Sequence, residues 1–287
     1  MHEALYYEKL ESSKVRCRLC PHNCVISEGG RGICGIRINK GGRLFSEIYG
    51  KITSLALDPV EKKPLYRFHP GEYILSAGTK GCNLSCSFCQ NWSISRNPDA
   101  VTEEITSEYI IEKANESKSF GIAYTYNEPF IWYEFVYDTA VMARKAGLLN
   151  VLVTNGFVNP EPLEHILPLI DAMNIDLKSF NDEFYRKTCG GSLEPVLQTI
   201  KRSVRACHVE LTTLVIPTMN DSEEELKRLV DWIYDNAGAE TPLHLSRYFP
   251  CYKMNLPPTP LESLKRAEHI AKKKLKYVYL GNVSFGV

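Results

Sequence analysis

From Tyr73 onward, short β-branched and apolar runs alternate with helical patterns, and this alternation is the strongest constraint on the fold. The runs are predicted to be strands, and their sequences are YILSAG, GIAYTY, LNVLVTN, AMNIDL, HVELTTLVI, PLHLSRY and YVYLGNV. Strand-then-helix order predicts an α/β fold with a parallel sheet, partly or completely closed into a (β/α) barrel. A doubly wound open sheet is the alternative.

Two of the predicted helices have clear start signals. Asn159 comes before Pro160 and Glu161, which predicts an N-cap followed by a proline and an acid in the first turn. Ser222 and Glu225 have the spacing of a capping box, in which each side chain bonds to the backbone of the other residue. Both helices are therefore expected to begin directly after a loop.

Charge and hydropathy exclude several classes of partner. The 287 residues include 34 Lys plus Arg and 34 Asp plus Glu, so no overall field favours nucleic acid or an anionic membrane. No apolar run approaches the roughly 20 residues needed to cross a bilayer, and the N-terminus MHEALYYEKL lacks the apolar core of a signal peptide. These features predict a cytoplasmic protein without nucleic-acid or membrane partners.

Seven of the ten cysteines form two tight groups, and such grouping in a cytosolic chain indicates metal binding more than disulfides. The first group is Cys17, Cys20, Cys24 and Cys34, and the second is Cys82, Cys86 and Cys89. Cys189, Cys207 and Cys251 stand alone in the sequence. We predict a Cys-rich metal-binding module over residues 1–50 and a barrel domain over residues 51–287.

The second cysteine group lies in GCNLSCSFCQNW, directly after the first predicted barrel strand. Three thiolates at Cys-x3-Cys-x2-Cys spacing can bind three irons of a cubane and leave the fourth iron open to an external ligand. A zinc site completed by a distant residue, or thiols that only pack, are the alternatives. The spacing after a strand predicts a [4Fe-4S] cluster at Cys82, Cys86 and Cys89.

The segment GCNLSCSFC, with Phe88 before its last cysteine, resembles the radical SAM superfamily signature Cys-x3-Cys-x-aromatic-Cys. The resemblance implies a barrel of the radical SAM type, a [4Fe-4S] cluster and bound S-adenosyl-L-methionine. It also implies reductive cleavage of that cofactor and abstraction of a hydrogen atom from an unidentified protein or small-molecule substrate. Ferredoxin or flavodoxin is the implied reductant, and no residue is assigned to act on the substrate.

Further motifs narrow the resemblance. TYNEP, TNG and DLK follow at successive predicted strand ends, in an order similar to that of glycyl-radical-enzyme activating proteins. The chain from CRLCPHNC through SRYFPCYKM is still more similar to the radical SAM member of the AmmeMemoRadiSam system, often labelled pyruvate formate-lyase activating enzyme homologue. Members of that group continue past GNVSFGV, so a C-terminal element is expected to be missing or replaced.

The chain also departs from the activating-enzyme pattern. Tyr126 and Asn127 stand where two glycines are usual, Val153 stands where an acid is usual, and Thr212 stands where arginine is common. A glycyl-radical-enzyme activating protein is therefore one alternative function. A non-catalytic iron-sulfur electron carrier is the alternative from a different class.

The resemblance implies cofactor contacts, position by position. Glu128 matches the acid that binds the methionine amino group in relatives, and Phe88 matches the residue whose backbone contacts adenine. The remaining implied contacts are Asn127, Thr154, Asn155, Asp176, Lys178 and His244. For Glu128 the alternative is a cap on a helix that begins before Phe130.

Strand alternation gives an independent expectation for the barrel lumen. Apolar residues should face the surrounding helices, which turns the intervening polar residues inward. The inward residues are predicted to be Asn174, Asp176, Lys178, Glu210, Thr212, His244 and Ser246. They form either a hydrated ligand site or a buried network whose members satisfy one another.

The first cysteine group is compatible with more than one metal. Four thiolates in a short glycine-containing loop suit zinc or an auxiliary iron-sulfur cluster, and free thiols are the third alternative. His22 lies inside this loop and either replaces one thiolate or is a solvent-facing loop histidine, and the solvent-facing position is the one expected. Because the two cysteine groups lie in separate segments, replacing Cys20 is expected to unfold residues 1–50 and to spare the cluster at Cys82.

Overall fold

The computed structural model describes residues 1–283. Residues 284–287 lie outside the described residues. They belong to the GNVSFGV segment, on which the expectation of a missing or replaced C-terminal element rests.

The described residues form sixteen strands and eight α-helices. The strands are β1 (His2–Glu3), β2 (Tyr7–Lys9), β3 (Val15–Cys17), β4 (Val25–Ile26), β5 (Arg37–Lys40), β6 (Arg43–Ser46), β7 (Lys51–Ile52), β8 (Ser54–Pro59), β9 (Tyr73–Gly78), β10 (Glu103–Glu104), β11 (Gly121–Tyr124), β12 (Leu149–Thr154), β13 (Ala172–Asp176), β14 (His208–Val215), β15 (Leu243–Arg247) and β16 (Val278–Gly281).

The helices alternate with the later strands. They are α1 (Trp92–Ser95), α2 (Ser107–Glu116), α3 (Tyr133–Lys145), α4 (Pro160–Ile166), α5 (Asp182–Phe184), α6 (Leu193–Ser203), α7 (Glu223–Asn236) and α8 (Leu261–Ala271). Three 3₁₀ turns cover Val60–Lys62, Pro129–Trp132 and Leu167–Leu169, and a π-helical turn covers Tyr185–Cys189. None of the helices described is both long and apolar enough to cross a bilayer.

One eight-stranded sheet carries the fold. Its order is β8-β9-β11-β12-β13-β14-β15-β16, with β8 antiparallel to β9 and the other neighbours parallel. The strands follow one another in chain order without the reversal that defines a doubly wound sheet. Because β8 and β16 form the two edges, the described chain makes a partly closed barrel. The predicted α/β barrel class is confirmed, and each of the seven predicted strands is present.

The N-terminal segment forms small antiparallel sheets that the sequence pattern did not predict. One has the order β1-β6-β5, a second has the order β2-β3-β4, and β7 pairs with β10. A buried ion pair between Arg37 on β5 and Glu134 on α3 joins this segment to the barrel. The Leu5 amide also donates to Glu134 Oε1 at 2.8 Å, and Arg37 donates to the Leu5 carbonyl at 2.8 Å. The division at residue 50 stays a prediction.

The two predicted helix starts are found, but tertiary contacts change their caps. α4 begins at Pro160, yet the Asn159 side chain makes no cap bond and donates to the Arg18 carbonyl instead. Ser222 caps α7 by accepting from the Glu225 amide at 3.3 Å. The reciprocal half of the capping box is absent, because the Glu225 carboxylate accepts from the Phe180 amide at 3.0 Å.

Candidate functional site

A cavity of about 350 Å³ opens at the carboxyl ends of the parallel strands, the usual position of ligand sites in barrels of this kind. Cys82, Cys86 and Cys89 all line it. So do most of the implied cofactor contacts, namely Phe88, Asn127, Glu128, Thr154, Asn155, Asp176 and Lys178. Residues from the ends of six strands, β11 to β16, and from the loop after β9 therefore meet around one space. The structure does not bring His244 to this cavity.

The loop after β9 holds the three cysteine thiols in defined positions. The Leu84 amide donates to Cys82 Sγ at 3.4 Å, and Asn155 Nδ2 donates to the same sulfur at 3.6 Å. Cys89 Sγ shares a hydrogen bond of 3.2 Å with Ser95 Oγ. Burial raises the pKa of Cys82 and of Cys89, so binding a cation as thiolates would release protons.

Cys189, which stands alone in the sequence, lies beside the second cysteine group. Its thiol hydrogen-bonds to Cys86 and lowers the pKa of Cys86. Its carbonyl accepts from the Ser85 amide at 2.7 Å, and the Thr188 carbonyl accepts from the Ser87 amide at 3.0 Å. The π-helical turn that ends at Cys189 thus supports the backbone of the cysteine loop. No motif in the sequence signalled this contact.

Glu128 occupies the wall of the cavity and caps the turn that follows it. Its Oε1 accepts from the Phe130 amide at 3.0 Å and from Thr154 Oγ1 at 2.7 Å, and its Oε2 accepts from the Asn155 amide at 2.8 Å. Burial raises the pKa of Glu128 to about 7, although these hydrogen bonds oppose the rise. The two interpretations of Glu128 are compatible in space, because the capping carboxylate also lines the cavity.

Asn127 and Asn155 link neighbouring strand ends to the cysteine loop. Asn127 Oδ1 accepts from the Thr79 amide at 3.1 Å, and its Nδ2 donates to the Gly81 carbonyl at 2.9 Å. Asn155 Nδ2 donates to Asn83 Oδ1 at 2.9 Å. These two side chains therefore fix the loop on both sides of Cys82, whether or not they also contact a ligand.

At the end of β13, Lys178 and Asp176 form an ion pair of 2.8 Å between Nζ and Oδ2. The Lys178 ammonium also lies 6.0 Å from the centre of the Phe88 ring. Asp176 keeps a side chain that is 35% exposed, so its carboxylate remains accessible from the cavity. This wall can offer both signs of charge to a zwitterionic ligand.

A buried polar network surrounds the Glu210 carboxylate on β14. Glu210 accepts from the Tyr66 amide at 3.0 Å and the Arg67 amide at 2.7 Å. The His244 Nε2 lies 2.6 Å from Glu210 Oε2, and the His208 Nε2 lies 3.0 Å from Glu210 Oε1. Asp176 and Ser246 therefore line the cavity, whereas Glu210 and His244 belong to a buried network.

Tyr126 is a cavity residue that the sequence did not single out as functional. Its φ is +70°, in the left-handed region that favours glycine, at a position where the activating enzymes usually have one. Its hydroxyl donates to Asp58 Oδ2 at 2.6 Å, and the Lys63 ammonium lies 4.4 Å from its ring centre. These contacts hold a strained residue in the cavity wall.

The first cysteine group also folds together. Cys24 Sγ and Cys34 Sγ both approach Gly32, where an added Cβ would lie 3.8 and 3.7 Å from them. Across residues 1–283, no three thiol, imidazole or carboxylate groups converge as a ready-made site for a single ion. His22 does not join the thiols, because its Nε2 lies 2.8 Å from the Asn83 carbonyl oxygen beside Cys82. The two cysteine groups, although they lie in separate segments of the sequence, are therefore linked by a contact between His22 and the residue after Cys82.

Comparison with known proteins agrees with this geometry. The radical SAM superfamily profile matches residues 77–233. An uncharacterized protein of Methanocaldococcus jannaschii is 49% identical, over 99% of this chain and 86% of its own length. Pyruvate formate-lyase 1-activating enzyme of Escherichia coli is 26% identical, over 56% of this chain and 68% of its own length.

A solved structure shares the fold. It is Streptococcus suis SuiB bound to S-adenosylmethionine, with a TM-score of 0.55 and 14% identity, covering 71% of this chain and 48% of SuiB. The superfamily profile spans more than half of the chain and contains the whole second cysteine group. Relatives, fold and the cysteines at the mouth of the barrel lead to the same assignment: the chain belongs to the radical SAM superfamily.

Proposed function

We propose that Cys82, Cys86 and Cys89 hold a [4Fe-4S] cluster and that the protein uses it with S-adenosyl-L-methionine to abstract a hydrogen atom from a substrate. One observation carries the proposal: the three thiols open into the same cavity as the Glu128 carboxylate, at the carboxyl ends of the parallel strands. Superfamily membership supports the choice of cluster and cofactor.

The residues of the cavity fit these two groups. Three cysteines, and no fourth among its described lining residues, suit a cubane that keeps one iron open. Hydrogen bonds to Cys82 and Cys89 from Asn155 and Ser95 are of the kind that tune cluster potentials. When bound, the cluster supplies the reductive cleavage of S-adenosyl-L-methionine.

The protein side chains bind and orient the cofactor. Glu128 presents a carboxylate for the methionine ammonium, a pairing that charge-assisted hydrogen bonds favour. Lys178 and Asp176 offer groups for the cofactor carboxylate and ribose, with Thr154 and Asn155 on the neighbouring strand end. The Phe88 backbone is the proposed adenine contact. His244 would act only through its Glu210 network, since it does not line the cavity.

The wider assignment follows from the same site. The reductant is a ferredoxin or flavodoxin, the substrate is an unidentified protein or small molecule, and the protein works in the cytoplasm. Zinc or a second iron-sulfur cluster occupies Cys17, Cys20, Cys24 and Cys34, and the proximity of these thiols supports this part of the proposal.

A second candidate function is activation of a glycyl radical enzyme. The similarity to the Escherichia coli activating enzyme favours it, whereas Tyr126 and Thr212 differ from the activating-enzyme pattern. An electron carrier is less well supported, because a carrier has no need for the polar side chains that share the cavity with the cysteines.

Product analysis tests the proposal. The anaerobically reconstituted protein, reduced and given S-adenosyl-L-methionine, should release methionine and 5′-deoxyadenosine, measured by chromatography. Deuterated candidate substrates should transfer deuterium into the 5′-deoxyadenosine, which identifies the hydrogen donor. Cys86→Ala is the control and should release neither product. An iron-loaded protein that binds the cofactor but never cleaves it would support the electron carrier instead.

A further inference from the structure

The N-terminal cysteine motif touches both neighbours of Cys82. Gly81 has a φ of +89°, and an added Cβ there would lie 2.9 Å from the Cys34 carbonyl oxygen. On the other side, the His22 Nε2 lies 2.8 Å from the Asn83 carbonyl oxygen. The backbone before Cys82 therefore packs against Cys34, and the backbone after it is hydrogen-bonded to His22, both residues of a motif that lies some 50 residues earlier in the chain.

Backbone hydrogen bonds bring the four N-terminal cysteines into one compact loop. The Cys17 amide donates to the Cys24 carbonyl at 2.9 Å, and the Asn23 amide donates to the Cys20 carbonyl at 3.0 Å. Four thiols in one short segment are a typical ligand set for a thiophilic cation. Gly32 leaves room beside the sulfurs of Cys24 and Cys34, where a side chain would contact both.

Arg37 adds a second, independent observation. The side chain is 1% exposed and pairs with Glu134, and within residues 1–283 neither its Nε nor Glu134 Oε2 has a hydrogen-bond partner. The same guanidinium lies within electrostatic range of Cys17 and Cys34. Buried N–H groups without an acceptor are rare in native proteins, and a metal-bound thiolate is an acceptor of the required kind.

We propose that Cys17, Cys20, Cys24 and Cys34 form a tetrathiolate metal centre that positions the Cys82 loop through His22 and Cys34. The inference rests on the proposed function of the Cys82 site and adds a positioning role for the N-terminal centre. Metal binding orders a segment too short to hold its own core. The ordered segment then presents the His22 ring and the Cys34 carbonyl to the two sides of Cys82.

Metal analysis of the Cys82→Ala, Cys86→Ala, Cys89→Ala triple variant isolates the N-terminal centre. After reconstitution with Zn²⁺, or with iron and sulfide, it should retain about one zinc or about four irons per chain. The result distinguishes the two metals and does not depend on the proposed function. A triple variant that retains neither metal overturns the inference. A wild-type protein without a cluster at Cys82 would refute the proposed function alone.

The positioning role is tested with Cys20→Ser and His22→Ala. Cys20→Ser should lose the N-terminal metal, change the electron paramagnetic resonance spectrum of the reduced Cys82 cluster and weaken S-adenosyl-L-methionine binding about tenfold. His22→Ala should keep the N-terminal metal and still weaken binding. His2→Ala is the matched control, because His2 is half-buried in the same segment and stacks on Tyr49 instead.

Spectrum and affinity must change together for the proposal to hold. If Cys20→Ser loses its metal while the cluster spectrum and the cofactor affinity stay at wild-type values, the positioning role is wrong. Should Cys20→Ser fail to fold, His22→Ala decides alone, and wild-type affinity in that variant contradicts the proposal.

Discussion

Replacing Glu210 by Gln tests the buried polar network around its carboxylate. Each carboxylate oxygen faces one backbone amide and one imidazole. Oε1 accepts from the Arg67 amide at 2.7 Å and lies 3.0 Å from His208 Nε2. Oε2 accepts from the Tyr66 amide at 3.0 Å and lies 2.6 Å from His244 Nε2. A glutamine can supply an acceptor on one side only, so one backbone N–H is left facing an amide NH₂.

The magnitude follows from the pKa of Glu210 in the folded protein. Burial opposes ionisation, but hydrogen bonds from His208, His244 and two backbone amides lower the pKa from 4.5 to about 2. That difference corresponds to about 3 kcal/mol of folding stability, present above pH 4.5 and lost as the pH falls toward 2. An unsatisfied backbone donor costs a similar amount, about 1–3 kcal/mol. We expect Glu210→Gln to lower the free energy of unfolding by about 3 kcal/mol at pH 7.

Urea unfolding followed by circular dichroism measures this difference. The difference in the free energy of unfolding between wild type and Glu210→Gln should be about 2 kcal/mol smaller at pH 3 than at pH 7. At pH 3 the Glu210 carboxyl is mostly protonated in the unfolded protein, whereas it is still mostly ionised in the folded protein. Glu194→Gln is the control, since Glu194 is exposed and contacts Gln198, and it should change stability by less than about 0.5 kcal/mol. A loss below about 1 kcal/mol at pH 7, or one independent of pH, would refute the reasoning.

Three further predictions address other contacts. Glu128→Gln should weaken S-adenosyl-L-methionine binding by on the order of 1–3 kcal/mol in calorimetry while leaving iron content intact, and equal affinity would leave Glu128 with its capping role only. Arg37→Met leaves the Glu134 carboxylate buried without its ion-pair partner, so the free energy of unfolding measured by thermal denaturation should fall by about 3–5 kcal/mol. A change near zero would contradict the contribution of the buried ion pair. Gly156→Ala should cost about 1–3 kcal/mol in urea unfolding, because φ is +68° and an added Cβ lies 2.9 Å from Ile175 Cγ2; an unchanged midpoint would contradict that contact.

The barrel could be predicted from the sequence because its signals are local. Period-two alternation in AMNIDLK and PLHLSRY decides which side chains face the lumen, and Asp176, Lys178 and Ser246 do line the cavity. The spacing of the second cysteine group likewise places three thiols on one short loop. Alternation does not report which inward side chains bond to one another, which is why His244 was grouped with cavity residues although it contacts Glu210 instead.

Contacts between distant segments could not be predicted in this way. The pairing of Cys189 with Cys86 depends on a π-helical turn, and the approach of His22 to Asn83 depends on how the N-terminal loop packs against the barrel. The Glu225 carboxylate is a further example. It accepts from the Phe180 amide on another loop and not from the Ser222 backbone, its expected capping partner. Sequence spacing measures separation along the chain, and folding makes it a poor guide to separation in space.

Iron content shows whether Cys82, Cys86 and Cys89 hold a [4Fe-4S] cluster. Wild-type protein and the Cys82→Ala, Cys86→Ala, Cys89→Ala variant would be reconstituted side by side without oxygen and analysed for iron, sulfide and visible charge-transfer absorption. We expect about four fewer irons per chain in the triple variant, with a matching loss of absorption, whatever metal the N-terminal cysteines hold. Equal iron content and equal absorption in the two proteins would contradict the cluster assignment.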